Sequence, residues 1–272
     1  MQRYFRLIVD EALTSPSPGV GMDLLLRSGA FGALLPEVAS LEKLGEDPIS
    51  ALHKDVWDHT KLVVAGVPAR VELRWAAMLH DIGKVRTRRV TKGGRVTFHG
   101  HDVVGARMVD DIQRRMKLFD EALLSTIRTL VLNHLRPAGY KKDWSDSGVR
   151  RLITDLGGPA GLSDLLLLAR ADLTTKNPAK RARALANSAA LEARAAAIFA
   201  EDSAPKLPKG TIGIIIERSG RSAGPWAQQA RDQLEARLRD GTLPLGQPPE
   251  FYVAAWLGET TAEGEENSCD AP

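Results

Sequence analysis

The chain has 272 residues, 43% of them hydrophobic and 26% charged, enough for one generous core or two modest ones in an ordinary globular protein. Its single cysteine, Cys269, excludes an internal disulfide framework and a zinc-finger set of thiolates. No apolar run approaches the ~20 residues that span a bilayer, so a soluble, cytoplasmic protein is expected.

Formal net charge is +3, but Glu259, Glu263, Glu265, Glu266 and Asp270 crowd the end with no Lys or Arg among them. The body is therefore more basic than the sum suggests, which suits a polyanionic ligand such as RNA or a nucleotide.

Hydrophobic spacing is helical almost throughout. It predicts helices over residues 2–13 and 21–35, separated by the breaker run Ser15-Pro16-Ser17-Pro18-Gly19. A second pair is predicted over 55–65 and 71–80, parted around Gly66 and Pro68. Between Gly83 and Phe98 the pattern changes: Val85, Val90, Val96 and Phe98 sit among basic residues with Lys92-Gly93-Gly94 between them, which reads as a β-hairpin. Helical spacing returns over 103–118 and 121–135, closed by Pro137 and Gly139, and continues over 147–156 and 162–173. Pro178 stands in the first turn of a long Ala-rich helix reaching about Ala200. Beyond Pro205, the apolar run 212–216 fits either element type, a helix covers 225–238, and the acidic end is expected to be disordered.

The expected fold is thus all-α, a helical bundle with one small β-hairpin. It divides into an N-terminal helical segment (1–50), a main domain (51–203), a helical arm (204–257) and an acidic tail (258–272).

Chemistry concentrates around Leu79-His80-Asp81-Ile82-Gly83-Lys84. Adjacent His and Asp can reach one metal ion only where a helix is ending, and Gly83 is expected to supply that ending. His59, one helix earlier, and Asp172, in the greasy run from Leu165, complete a four-residue set; an acid there is costly unless a cation compensates it. His101 opens one predicted helix and His134 ends another, and both are candidates for a second ion or for substrate. His53 and His99 are read as surface residues.

Mixed His/Asp ligation suits one or two divalent ions, among Mn, Fe, Co, Ni, Zn or Mg, which polarise a phosphoryl oxygen and acidify a bound water. The cluster Lys84, Arg86, Arg88, Arg89, Lys92 and Arg95 has no acid among it and could gather an anionic substrate. Arg150, Arg151, Lys176, Lys180, Arg181 and Arg183 could continue a track for an RNA backbone. Trp57 and Trp75 read as core anchors.

The order His59, His80-Asp81, Asp172 resembles the HD-domain phosphohydrolase superfamily, in which those residue types hold the metal. The resemblance places His101 and His134 where binuclear members have two more ligands, and it matches Lys84 to a lysine that contacts phosphate. Residues 53–60, 77–84 and 98–106 are more closely similar to the HD region of bacterial tRNA nucleotidyltransferases, the CCA-adding enzymes and poly(A) polymerases. Residues 24–29, 34–37 and 171–180 extend that likeness, which makes 1–50 neck-like and 51–203 an HD domain.

Nucleotide addition requires a head domain with a Gly-Ser turn and an Asp-x-Asp pair. The chain contains neither dipeptide nor triplet, and no room for a head precedes Leu13, so that activity is not expected. What the resemblance implies instead is a metal-dependent phosphodiesterase or phosphatase acting on nucleotides or RNA ends, 2′,3′-cyclic phosphates included. Asp81 and Lys84 would be catalytic, with Lys84, Arg86 and Arg88 binding substrate. Two alternatives stay open: a non-catalytic RNA-binding module or subunit, with tRNA or RNA as partner, and a nucleotidase or dinucleoside polyphosphate hydrolase.

Overall fold

The computed structural model describes residues 2–44, 55–94, 96–141, 143–175 and 177–258. His53, Arg95, Lys176, Cys269 and the acidic tail expected to be disordered lie outside the described residues. The chain forms two compact units, Met1–Ile198 and Phe199–Pro272. The all-α expectation with one small hairpin is borne out, and among the described residues no single helix is long and apolar enough to cross a membrane.

In the first unit, α1 (Gln2–Thr14) buries Phe5, Val9 and Leu13 at four-residue spacing. Helix α2 (Pro18–Arg27) starts on Pro18 and crosses α1 so closely that a Cβ on Gly21 would lie 2.8 Å from that of Ala12. The single helix expected over 21–35 is instead two. Gly29 adopts φ 79, a left-handed conformation that interrupts the helical ladder, and α3 (Ala30–Leu34) begins after it, followed by α4 (Pro36–Lys43).

Helix α5 (Val56–Gly66) is capped by Asp55, whose carboxylate accepts from the Trp57 and Asp58 amides at 2.8 and 3.1 Å. Helix α6 (Val71–Leu79) is the central element. Every residue from Leu73 to Leu79 is buried, and it touches α1 and α5 directly. Trp75 donates its indole N–H to Asp10 at 2.5 Å, while the buried Arg74 donates to the carbonyls of Leu13 and Pro68, each at 3.1 Å.

The stretch read as a hairpin opens with a helical turn, α7 (Lys84–Thr87), which confines the ladder to β1 (Arg89–Val90) and β2 (Val96–Thr97), antiparallel with Val90 opposite Val96. Then come α8 (His101–Met116), α9 (Glu121–Asn133), α10 (Arg136–Gly139), α11 (Asp146–Asp155), α12 (Pro159–Asp172) and α13 (Pro178–Ser203). Pro137 and Gly139, expected only to close α9, form the short α10. Helices α9 and α12 also pack on α6.

The second unit holds α14 (Thr211–Ser219), α15 (Pro225–Arg239) and α16 (Pro249–Leu257) around Ile215, Leu234, Leu238, Tyr252 and Val253. The ambiguous run 212–216 is helical. Helix α16 had no counterpart among the expected elements: apolar residues occupy most of its nine positions, so no face stands out as a helical stripe.

Gly83 was expected to supply the ending of α6. Its φ is −63, an ordinary helical value, and α6 already ends at Leu79 with His80 as its C-cap. What the position requires is space. A Cβ on Gly83 would lie 2.0 Å from the His101 carbonyl oxygen and 2.7 Å from the Gly105 amide nitrogen, so the missing side chain lets α8 approach the His80-Asp81 turn. Gly83→Ala should lower unfolding free energy by about 3 kcal/mol in a denaturant titration. Gly32→Ala, which meets no atom within 4 Å, should be neutral or slightly stabilising.

Candidate metal centre

Four imidazoles reach one buried point from different helix ends. His80 is the C-cap of α6 and His134 the C-cap of α9, His101 opens α8, and His59 lies one turn into α5. His80 donates from Nδ1 to the Ala77 carbonyl at 2.7 Å, His101 to that of Phe98 at 2.8 Å and His134 to that of Val131 at 2.7 Å. A carbonyl only accepts, so each Nδ1 carries a proton, and it is each Nε2 that can offer a lone pair to a cation. His59 turns its Nδ1 instead to the Thr174 hydroxyl at 2.8 Å.

These lone pairs converge with two carboxylates. His59 Nε2 lies 3.3 Å from His80 Nε2, 3.4 Å from Asp81 Oδ2 and 3.0 Å from Asp172 Oδ1. His80 Nε2 is 3.2 Å from Asp81 Oδ2 and 3.6 Å from Asp172 Oδ1. A second group forms on the far oxygen of the same aspartate, where His101 Nε2 is 3.3 Å from Asp81 Oδ1 and 3.2 Å from His134 Nε2.

Two imidazole lone pairs facing each other at such distances repel unless a proton or a cation lies between them. Ligands at ~2.1 Å from a tetrahedral ion stand ~3.4 Å apart, and the observed separations bracket that value. The residues fit a divalent cation at His59, His80, Asp81 and Asp172. Asp81, His101 and His134 could hold another, with the Asp81 carboxylate shared between the two groups.

Burial disfavours charge on His80, yet the carboxylates of Asp81 and Asp172 push its pKa up to about 10. Burial, together with the charge on His80, presses His134 down to about 4. Burial works against the ionised forms of Asp81 and Asp172, but the surrounding imidazoles hold both below the usual carboxylate range. Lys84 stands 2.5 Å from Asp81 Oδ2 and 5.6 Å from the centre of the Phe98 ring.

A cleft of about 360 Å³ opens over His59, Asp172 and Lys84 and is also lined by Thr174, Lys180 and Arg183. Of the residues expected to bind substrate, Lys84 is here. Arg86 is ion-paired with Asp111 at 3.2 Å on an exposed face, and neither it nor Arg88 lines the cleft. His99 is exposed and outside both groups. Thr174 had gone unassigned. Its one sequence signal was a hydroxyl two residues beyond a candidate ligand, which is informative only once the turn after α12 is known to bring it back to His59.

The comparisons with known proteins agree with this geometry. A family model described as HD domain matches residues 52–192, more than half of the chain. The chain belongs to the HD domain family. Among curated proteins it is similar to an A-adding tRNA nucleotidyltransferase of Deinococcus radiodurans, 30% identical over 259 residues, covering 91% of this chain and 57% of that protein. It is also similar to a CC-adding tRNA nucleotidyltransferase of Thermus thermophilus, 39% identical over 102 residues, 35% of this chain and 23% of that one. A Multifunctional CCA protein of Halorhodospira halophila is 31% identical over 109 residues, 39% of this chain and 25% of that protein. The HD chain therefore spans little more than half the length of the first of these relatives and about a quarter of the others.

Two outcomes follow from the site. Because the folded pKa of His80 lies above its ordinary 6.5, its contribution to stability is complete below about pH 6.5 and is lost as pH rises towards about 10. His134, held low, acts in the opposite sense, removing stability as pH falls from 6.5 to about 4. Chelator-treated protein should thus melt at progressively lower temperature from pH 7 to 10, and a divalent ion should flatten that decline by replacing the proton. Second, Thr174→Val should weaken metal binding about ten-fold or more in calorimetric titration, while Thr174→Ser retains most of the affinity.

Proposed function

We propose that the protein is a metal-dependent phosphohydrolase acting on nucleotides or RNA ends, with 2′,3′-cyclic phosphates among its substrates. The observation that carries this reading is the pair of opposed Nε2 atoms of His59 and His80, closed by two carboxylates, beside a cleft that Lys84, Lys180 and Arg183 also line. His59, His80, Asp81 and Asp172 are assigned as ligands of one ion, and His101 and His134, with Asp81, as ligands of a second. When bound, a divalent ion supplies Lewis acidity towards a phosphoryl oxygen and a water acidified towards neutral pH.

The chain's own groups do the rest. Lys84 binds a phosphate oxygen beside Asp81. Asp81 fixes the positions of His59, His80 and His101 through both of its oxygens. Thr174 fixes the orientation of the His59 ring through Nδ1, which turns Nε2 towards the other candidate ligands. Hydrolysis forms a P–O bond to water and breaks the P–O bond to the sugar, whose oxygen takes a proton.

The names of the curated relatives favour a second reading, in which the chain serves tRNA as a non-catalytic RNA-binding module. One experiment separates the two. Purified protein supplied with Mn, Ni or Co should hydrolyse bis-p-nitrophenyl phosphate and 2′,3′-cyclic nucleotides. His80→Ala and Asp81→Ala should each reduce turnover by about a thousand-fold or more. Absence of turnover with every metal, together with tRNA binding that survives both substitutions, would leave the binding module as the better account.

A further inference from the structure

The cleft over His59 and Asp172 is lined by two cations besides Lys84, and both come from one helix. Lys180 and Arg183 both line it and are three residues apart on α13, so they share a helix face; Arg181, between them in sequence, does not line the cleft. The arginines that hold the fold together are matched to acids: Arg70 to Asp164, Arg86 to Asp111, Arg115 to Glu37, Arg170 to Glu192 and Arg194 to Asp146. Lys84 is taken by Asp81. Among the described residues neither Lys180 nor Arg183 has a carboxylate within ion-pair distance of its side chain.

The first turn of α13 is also held in place beforehand. Asn177 caps it, accepting from the Lys180 amide at 3.0 Å, and donates its own amide to the Thr175 hydroxyl at 3.3 Å.

The cleft is also lined by the apolar side chains of Val56, Leu135 and Leu173. At about 360 Å³ it lies near the lower end of the ~300–1,000 Å³ of small-molecule sites, room for a single nucleotide. Two cations without an acid partner thus line the same cleft as His59, Asp172 and Lys84, a set that suits a nucleotide carrying more than one phosphate.

We propose that Lys180 and Arg183 form a second phosphate subsite, which selects nucleotides bearing a further phosphate beyond the scissile one. The proposal rests on the phosphohydrolase reading above and names its substrate class. Such a ligand is either the 3′-phosphorylated end of an RNA strand or a free nucleoside 3′,5′-bisphosphate, and the chemistry recognised is the same in both.

The test compares three substrates on the full chain with Mn: adenosine 3′-monophosphate, adenosine 3′,5′-bisphosphate and the 3′-phosphorylated diadenosine dinucleotide. One or both of the substrates with a second phosphate should show kcat/KM about ten-fold or more above the monophosphate, the range of a charge-assisted contact. The larger gain identifies the source. In the Lys180→Ala, Arg183→Ala double variant the ratio should fall to about one, and Arg183→Lys should keep much of it.

Equal kcat/KM for all three substrates in the unaltered protein, or a ratio unchanged in the double variant, overturns the subsite while leaving the hydrolase intact. If no substrate is turned over, the hydrolase reading fails separately. Calorimetric Kd values for the same three compounds then decide the subsite: a preference of about ten-fold lost in the double variant supports it, and equal affinities overturn it.

Discussion

Asp81 is a carboxylate at 1% exposure, and burying such a charge without compensation costs several kcal/mol. The compensation organises the first unit. One oxygen faces His59, His80 and Lys84, the other faces His101, and His134 stands against His101. These groups arrive from within α5, the end of α6, the start of α8 and the end of α9, so four helices must meet at one place. Gly83 permits the closest of those approaches, and the packing of α9 and α12 on the buried face of α6 holds the remainder.

Orientation matters as much as proximity. Three of the four imidazoles are aligned by a carbonyl three residues earlier in their own chain segment, the geometry a helix end or tight turn offers at no side-chain cost. His59 lies inside a helix, where the preceding carbonyls are engaged in the ladder, so it requires an external partner. Thr174 supplies that partner from the turn that follows Asp172. Two candidate ligands from separate helices are thereby tied to one short loop, and that loop is also a wall of the cleft.

Charge is distributed in the same spirit. Several exposed cations of the first unit, Arg70, Arg86, Arg115 and Arg170 among them, are matched to acids, which weakens their own attraction for a ligand. Lys180 and Arg183 line the cleft beside His59 and Asp172 with no acid partner among the described residues, so an anion entering the cleft meets their charge.

Much of this was legible in the sequence because its carriers are local. Four-residue apolar spacing marked α1, α5, α6, α8, α9 and the long α13, and the order His59, His80-Asp81, His101, His134, Asp172 marked the site before any coordinates. Tertiary structure decided whatever depends on a distant neighbour. Gly83 looked like a helix terminator, yet it is an allowance for the His101 backbone. Arg86 looked like a substrate contact but faces Asp111, whereas Lys180 and Arg183, two members of a diffuse basic track, turn into the cleft. Thr174 was invisible until a turn returned it to His59. Residue type and short-range spacing are written along the chain; which lone pair, cation or missing Cβ meets which partner is set only when helices far apart in sequence pack together.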